Sequence, residues 1–142
     1  MGGDPYDLNR FVEAQDHGST YERALAEIRR GRKTSHWMWF VFPQIAGLGF
    51  SAMSQRYAIA DRSEAQAYLA HGVLGARLRE CAGSVAQLDA SPVHVFGGID
   101  AQKLHSSMTL FDLVEPQVVF RTVLDKHFGG VADDATEQRI GR

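Results

Sequence analysis

The chain of 142 residues contains a single cysteine, four prolines and no long apolar run. One cysteine, Cys81, excludes an intrachain disulfide, and with no recognisable signal peptide this favours a reducing cytoplasm. No apolar stretch approaches the roughly 18 residues that a membrane helix needs. The formal net charge of −2 argues against a general nucleic-acid binder, which would usually be basic. We therefore expect a cytoplasmic protein that binds neither membranes nor nucleic acid.

The familiar signatures of catalytic and cofactor sites are also missing from the sequence. There is no HExxH motif, no pair of cysteines and no carboxylate–histidine cluster. Walker A, G-x-S-x-G and G-x-G-x-x-G patterns are absent too. No metal and no cofactor are therefore expected, and the sequence leaves open whether the protein is an enzyme.

Apolar residues recur at helical spacing along most of the chain. Ser19 with Glu22, and Ser63 with Gln66, have the spacing of capping boxes at the start of two helices. The length suits one domain, and 44% hydrophobic with 23% charged residues is an ordinary globular composition. We predict a single all-α domain, 1–142, of about six or seven helices, with a core over roughly 4–130 and a short C-terminal tail over 131–142.

Both tryptophans, Trp37 and Trp39, lie in the segment RKTSHWMWFVFPQ at residues 32–44. A strand is one interpretation of this segment, but no second good strand is available to pair with it. The segment therefore predicts a short buried helix. One interpretation makes it the centre of the core. In the other, a tryptophan and His36 contact a planar ligand whose anionic group is held by Arg32 and Lys33.

Four further residues are candidates for a binding site. Gln15 occupies the i+7 position of an apolar stripe, where a buried amide needs hydrogen-bond partners from a loop backbone or from a ligand. Asp100, Lys103 and Ser107 share one helix face at i, i+3 and i+7. They supply a base, an anion clamp and a hydroxyl donor, or else form a surface ion pair of little energetic weight.

The segments that carry these candidates resemble a known family. In order they are DPYDLNRFVEAQ, YERALAEIRRGRKTSHWMWFVFPQ, YLAHGVLGARLREC, FGGIDAQKLHSSMTLF and VFRTVLDKHFGG. Together they are similar to the domain-of-unknown-function family 1810, whose bacterial members are often labelled calpastatin. The resemblance covers about residues 4–130 and implies an all-α fold. It implies no activity and no catalytic residue.

A much weaker resemblance points to the NADAR group, which is also small and helical. It rests on the order of Phe11 to Gln15, Tyr68 with His71, and Phe96-Gly97. The group is linked to cleavage of N-glycosidic bonds in ribosyl or ADP-ribosyl compounds. Such cleavage needs a carboxylate and a general acid near the sugar. The resemblance would make Glu13, Asp100 and Glu80 the candidates, with Glu13 and Asp100 preferred.

Two functions of different kinds follow. The first is a polar and aromatic pocket for a nucleotide- or ribose-phosphate-like molecule with an anionic group, extending to an N-glycosidase-like hydrolase. The second is a non-catalytic module that binds a protein partner, whose identity the sequence leaves unknown. This second function rests on the apolar, glycine-rich loop at residues 45–54, with Phe50 at its centre.

Overall fold

The computed structural model describes residues 3–140, and within that range the chain is all-α, as predicted. The helices are α1 (Asn9–Asp16), α2 (Thr20–Arg29), α3 (Met38–Val41), α4 (Ala52–Arg56), α5 (Arg62–Ala70), α6 (Leu74–Gln87), α7 (Pro92–Phe96), α8 (Gly98–Val114), α9 (Val118–His127) and α10 (Asp134–Ile140). A 3-10 turn at His17–Ser19 joins α1 to α2. The predicted domain 1–142 also includes two residues at each end that lie outside the described range.

The helices of the structure fall into a longer and a shorter group, and the expected six or seven helices are compared with each. In residues 3–140, seven helices have between 7 and 17 residues; six of them lie where apolar stripes predict helices, and the seventh, α10, lies in the predicted C-terminal tail. The other three, α3, α4 and α7, have only four or five residues. Helices this short are not stable alone, so packing against the rest of the domain must hold them.

The core forms around α6 and α8. Helix α6 packs against α2, α5 and α9, while α8 packs against α5, α7, α9 and α10. Every residue of α8 from 106 to 111 is buried, so this helix is enclosed around its whole circumference. Its buried hydroxyls also join α10 to the core, because Thr109 and Ser106 bond to the backbone and carboxylate of Asp133.

Neither predicted capping box forms. Ser19 has a left-handed backbone, with φ 58°, and makes no side-chain cap to α2. Helix α5 is capped by Asp61, whose carboxylate accepts from the Glu64 N–H at 2.9 Å. Asp61 lies two residues before Ser63, so Ser63 falls inside the first turn and cannot act as the cap.

The loop between α3 and α5 is closed at its base. Ile45 and Ile59 form an isolated parallel bridge, in which the Ala46 N–H donates to Ile59 O and the Ile59 N–H donates to Gln44 O, both at 2.8 Å. Both isoleucines are buried. The residues between them include α4 and expose Phe50. In the described part of the chain, no helix is both long and apolar enough to cross a bilayer.

Candidate functional site

A buried carboxylate, Glu27, organises the tryptophan segment. Glu27 lies on the inner face of α2 and is 1% exposed. Its two oxygens accept four hydrogen bonds from the segment that follows: the Thr34 N–H (2.8 Å), the Ser35 N–H (3.0 Å), the Ser35 hydroxyl (2.5 Å) and the Trp37 indole N–H (2.9 Å). The chain from residue 33 to residue 37 is therefore held against α2 by one side chain.

These hydrogen bonds keep Glu27 ionised. Burial alone opposes the charged form, but the donors of Ser35, Thr34 and Trp37 outweigh it and lower the pKa of Glu27 to about 2. Glu27 is not among the residues that the sequence singled out as candidates. Its spacing does indicate burial, because Glu27 follows Ala24 by three residues and precedes Ile28 on the buried face of α2.

The two tryptophans have different environments. Trp37 is fully buried, and its ring packs edge-on against Phe96. Trp39 is only partly buried at the edge of the core. The Lys103 ammonium lies 5.3 Å from the centroid of the Trp39 ring. Of the two, Trp39 is therefore the one that can respond to a ligand. The predicted short helix is present as α3, although it covers only residues 38–41.

Two lysines share one carboxylate at the start of α8. Lys33 Nζ lies 2.9 Å from Asp100 Oδ2, and Lys103 Nζ lies 3.6 Å from Asp100 Oδ1. The side chain of Lys33 is 8% exposed and that of Lys103 is 20% exposed. Lys33 also donates to Ser35 O at 2.6 Å and lies 5.0 Å from the Trp37 ring centroid. The structure therefore brings together three of the predicted residues, and Trp39 joins them through Lys103.

A cleft of about 400 Å³ lies beside this cluster. We call it the Lys103 cleft; it is lined by Gln44, Leu48, Gly49, Gly98, Ile99, Gln102 and Lys103. The first three residues come from the loop after α3 and the others from the first turns of α8. The lining thus combines one ammonium group, two amides and two aliphatic side chains.

The first turn of α8 adds hydrogen-bond donors to the cleft. The N–H of Ala101 donates to Gly97 O at 2.9 Å and is the first to find an acceptor in this helix. The N–H groups of Gly98, Ile99 and Asp100 therefore have no acceptor within the helix. The N-cap, Gly97, has φ 84° and no side chain to cover these donors. The positive end of a 17-residue helix therefore lies next to the Lys103 ammonium.

Gln15, Ser107 and Arg32 are among the predicted binding residues that do not line this cleft. Gln15 is buried, donating to Phe40 O at 2.8 Å and accepting from Arg77 at 3.2 Å, so its amide has structural partners. Ser107 is fully buried, and its hydroxyl has no hydrogen-bond partner in residues 3–140. Arg32 is exposed to solvent, and its backbone N–H bonds to Glu27 O.

The predicted carboxylates are spread over three places. Glu13 and His36 line a second cleft, on the exposed face of α1. Glu80 lies on α6, where it accepts from the Tyr21 hydroxyl at 2.5 Å and pairs with Arg29 at 3.6 Å. Only Asp100 lies beside the Lys103 cleft. The structure therefore separates the candidates Glu13 and Asp100 into different sites.

A family model described as "Protein of unknown function (DUF1810)" matches residues 5–140 of the chain. The chain belongs to this family. A DUF1810 assignment agrees with the resemblance drawn from the sequence, and it covers all of the residues that build both clefts. A search of curated proteins found no match.

Among solved structures, this DUF1810 chain is similar to the conserved hypothetical protein Rv1873 from Mycobacterium tuberculosis. The two sequences are 47% identical, and the match has a TM-score of 0.93 over 98% of this chain and 99% of that one. The two chains therefore share one fold over nearly their whole length. Neither the family name nor the name of this relative specifies an activity.

Proposed function

We propose that the Lys103 cleft binds a small molecule with an anionic group, of the nucleotide or ribose-phosphate type. The observation that carries this proposal is the sharing of Asp100 by Lys33 and Lys103. Two ammonium groups and one carboxylate leave one positive charge without a partner in the cluster. A phosphate or carboxylate bound there would balance it.

Lys103 is the cation available to such a ligand. Lys33 already contacts Asp100, Ser35 O and the Trp37 ring, which together occupy its ammonium group. Lys103 has only the longer contact to Asp100 and the Trp39 ring. It also lines the cleft, beside the free N–H groups at the start of α8. An anion between them would be attracted by both a charge and a helix dipole.

The remaining walls suit an organic body attached to the anion. Leu48 and Ile99 provide apolar surface, and Gln44 and Gln102 provide amides that can donate and accept. Gln102 already donates to Asp133 at 2.9 Å, which leaves its carbonyl oxygen for a ligand. A volume of about 400 Å³ lies within the usual range of small-molecule sites.

Binding without hydrolysis is the better supported form of this function. N-glycosidic cleavage requires a carboxylate and a general acid near the sugar. Asp100 is paired with two ammonium groups, one at each of its oxygens. Glu13 lies in the other cleft. Release of free base or ribose from a ribosyl substrate, lost in Asp100→Asn, would instead support hydrolysis.

Titration of tryptophan fluorescence tests the binding. We expect ADP-ribose, NAD or ribose 5-phosphate to quench the emission saturably, and uncharged ribose to have no effect. Lys103→Gln should abolish the quenching, because it removes the free ammonium group. Arg32→Gln is the matched control, since Arg32 is a predicted ligand cation that is exposed and lies outside the cleft. Equal loss in both variants, or no quenching at millimolar ligand, would contradict the proposal.

A second function is favoured by one specific observation, the exposure of Phe50. Its side chain is 85% exposed in the loop that forms one wall of the Lys103 cleft, and Ile99 on the opposite wall is 78% exposed. Exposed apolar side chains of this size are typical of protein-binding surfaces. Under this function, Phe50→Glu would abolish capture of a partner or self-association in size-exclusion chromatography. A monomer whose behaviour is unchanged by the substitution would count against it.

A further inference from the structure

A second cleft, of about 500 Å³, lies on the opposite side of α1 from the apolar stripe. Three of its lining residues, Arg10, Glu13 and Ala14, fall at i, i+3 and i+4 and so share one face of the helix, and His17 follows at the start of the 3-10 turn. Thr20, His36, Phe40, Arg56 and Tyr57 complete the lining. We call it the α1 cleft. It shares no lining residue with the Lys103 cleft.

Arg10 fixes the shape of the α1 cleft but leaves no donor for a ligand. Its five N–H groups donate to Tyr6 O, Asp7 O, Arg56 O, Ala58 O and the Glu64 carboxylate, at distances from 2.7 to 2.9 Å. Glu64 is buried and neutralises the guanidinium charge at 2.9 Å. These bonds hold the end of α4 against α1, so the cleft is formed before any ligand enters.

Two opposite charges in this cleft have no ionic partner. In residues 3–140, neither Glu13 nor Arg56 is part of an ion pair within 4.0 Å. Glu13 accepts one hydrogen bond from Asn9 at 2.9 Å, through one oxygen only. Arg56 donates from Nε to the Tyr57 hydroxyl at 3.3 Å, which leaves its two terminal nitrogens. A carboxylate and a guanidinium thus lie in one cleft without contacting each other.

The cleft is also lined by two aromatic rings and two imidazoles. The rings of Phe40 and Tyr57 pack edge-to-face, with their centroids 5.3 Å apart. Both side chains are fixed in the core cluster. His17 and His36 are exposed and line the rim, where each imidazole can donate and accept. The surface therefore offers a carboxylate, a guanidinium group and an apolar patch at separate points.

We propose that the α1 cleft binds a small zwitterion, namely a free amino acid or a dipeptide with an apolar side chain. The ammonium group would pair with Glu13, the carboxylate would take the bidentate geometry that the Arg56 guanidinium favours, and the side chain would cover Phe40 and Tyr57. A simple anion would satisfy Arg56 but would be repelled by Glu13. A simple cation would pair with Glu13 but would be repelled by Arg56.

Glycyl-L-phenylalanine is the probe, observed through backbone amide shifts of the ¹⁵N-labelled protein. We expect saturable shifts at residues of the α1 cleft and none in the Lys103 cleft. Glu13→Gln should weaken binding of the dipeptide about tenfold but leave its N-acetylated form unaffected. Arg56→Gln should weaken both of these ligands about tenfold and leave the C-terminal amide of the dipeptide unaffected.

Glu22→Gln, at an exposed carboxylate of α2 outside the cleft, is the matched control and should bind like the wild type. Both cleft variants should keep the wild-type melting temperature, because the glutamine that replaces Glu13 retains an acceptor for Asn9 and because Arg56 is exposed. The proposal is overturned if the dipeptide gives no saturable shift, if the blocked peptides bind as tightly as the zwitterion, or if inorganic phosphate binds more tightly. Because the two clefts share no lining residue, this outcome is independent of anion binding at Lys103.

Discussion

The indole N–H of Trp37 donates to Glu27 Oε1 at 2.9 Å, inside the core. The same carboxylate binds the backbone of residues 34 and 35, so the buried tryptophan and the loop before it share one anchor. This anchor fixes the chain directly after Lys33. It thereby sets the position of Lys33 against Asp100 and determines that Trp37, and not Trp39, faces inward.

Replacement of Glu27 by Gln should destabilise the protein at neutral pH. The glutamine places an NH2 donor where Glu27 accepts from N–H groups, so one or more buried donors lose their partner. We expect a loss of about 2–3 kcal/mol in the free energy of unfolding, measured with denaturant. Glu22→Gln, at an exposed position of the same helix, should change it little.

The stability of the wild type should also depend on the ionisation of Glu27. Its pKa is about 2 in the folded protein, below its ordinary value of 4.5. Because the pKa is lowered by folding, the ionised Glu27 carboxylate stabilises the fold fully above pH 4.5, and this contribution is lost as the pH falls through 2. The contribution is on the order of 3 kcal/mol. The difference in stability between wild type and Glu27→Gln should therefore shrink from pH 5 to pH 2; a constant difference would contradict the prediction.

Fluorescence quenching should distinguish the two tryptophans. In Trp39→Phe the remaining emitter is Trp37, which is 0% exposed. We expect its emission to be blue-shifted and resistant to acrylamide, whereas the wild type has an additional quenchable component from Trp39. Ligand-dependent quenching at the Lys103 cleft should vanish in the same variant, since Lys103 lies over the Trp39 ring. Persistent quenching in Trp39→Phe would place the ligand elsewhere.

Two glycines of α6 should respond oppositely to alanine. A Cβ at Gly75 would overlap the carbonyl oxygen of Leu69, where α6 closely approaches the end of α5. We expect Gly75→Ala to cost about 1–3 kcal/mol through overpacking. At Gly83 the nearest atom, on Val119, is 3.8 Å away, so Gly83→Ala should gain about 0.5–1 kcal/mol from helix propensity. Thermal or denaturant unfolding of the pair checks both signs.

Ser106 and Ser107, neighbours on α8, form a second matched pair. The Ser106 hydroxyl contacts Gln102 O at 3.1 Å and Asp133 Oδ2 at 3.2 Å, so Ser106→Ala should cost about 1 kcal/mol. The buried Ser107 hydroxyl has no partner in residues 3–140, so Ser107→Ala should be neutral or stabilise by up to about 1 kcal/mol. Denaturant unfolding measures both. A large loss at Ser107, or loss of ligand quenching there, would show that its hydroxyl serves the site.

The sequence predicted the all-α class and the long helices because their apolar stripes have helical spacing. It did not predict the bounds of the short helices. Helix α3 occupies four residues between Trp37 and Phe42, whose φ angles of −138° and −125° lie outside the helical range. No local propensity sets such a single turn; the Glu27 anchor and the surrounding core do.

Of the Lys103 cleft and the cluster beside it, the sequence singled out Lys33, Asp100, Lys103 and Trp39, but neither their arrangement nor the other lining residues. Lys33 and Asp100 are far apart in sequence, and only the packing of α7 against α8, and of the chain after α2 against α7, brings them within 2.9 Å. The Lys33 N–H, which bonds to Val95 O at 2.9 Å, is part of that packing. For Gln15, the sequence indicates that the amide is buried, but it does not indicate whether a protein backbone or a ligand supplies the hydrogen-bond partner.

The bridge between Ile45 and Ile59 closes the intervening segment into a loop with a fixed base. Both ends are fixed to each other by backbone hydrogen bonds and anchored by buried isoleucines. Arg56 O and Ala58 O accept from Arg10, and Tyr57 packs in the core, so the part of the loop after residue 55 is tied to α1. The part that carries Leu48 and Gly49 makes none of these contacts and forms one wall of the Lys103 cleft. A change of sequence there would alter that wall alone, while Lys103 on the opposite wall and both isoleucine anchors stay in place.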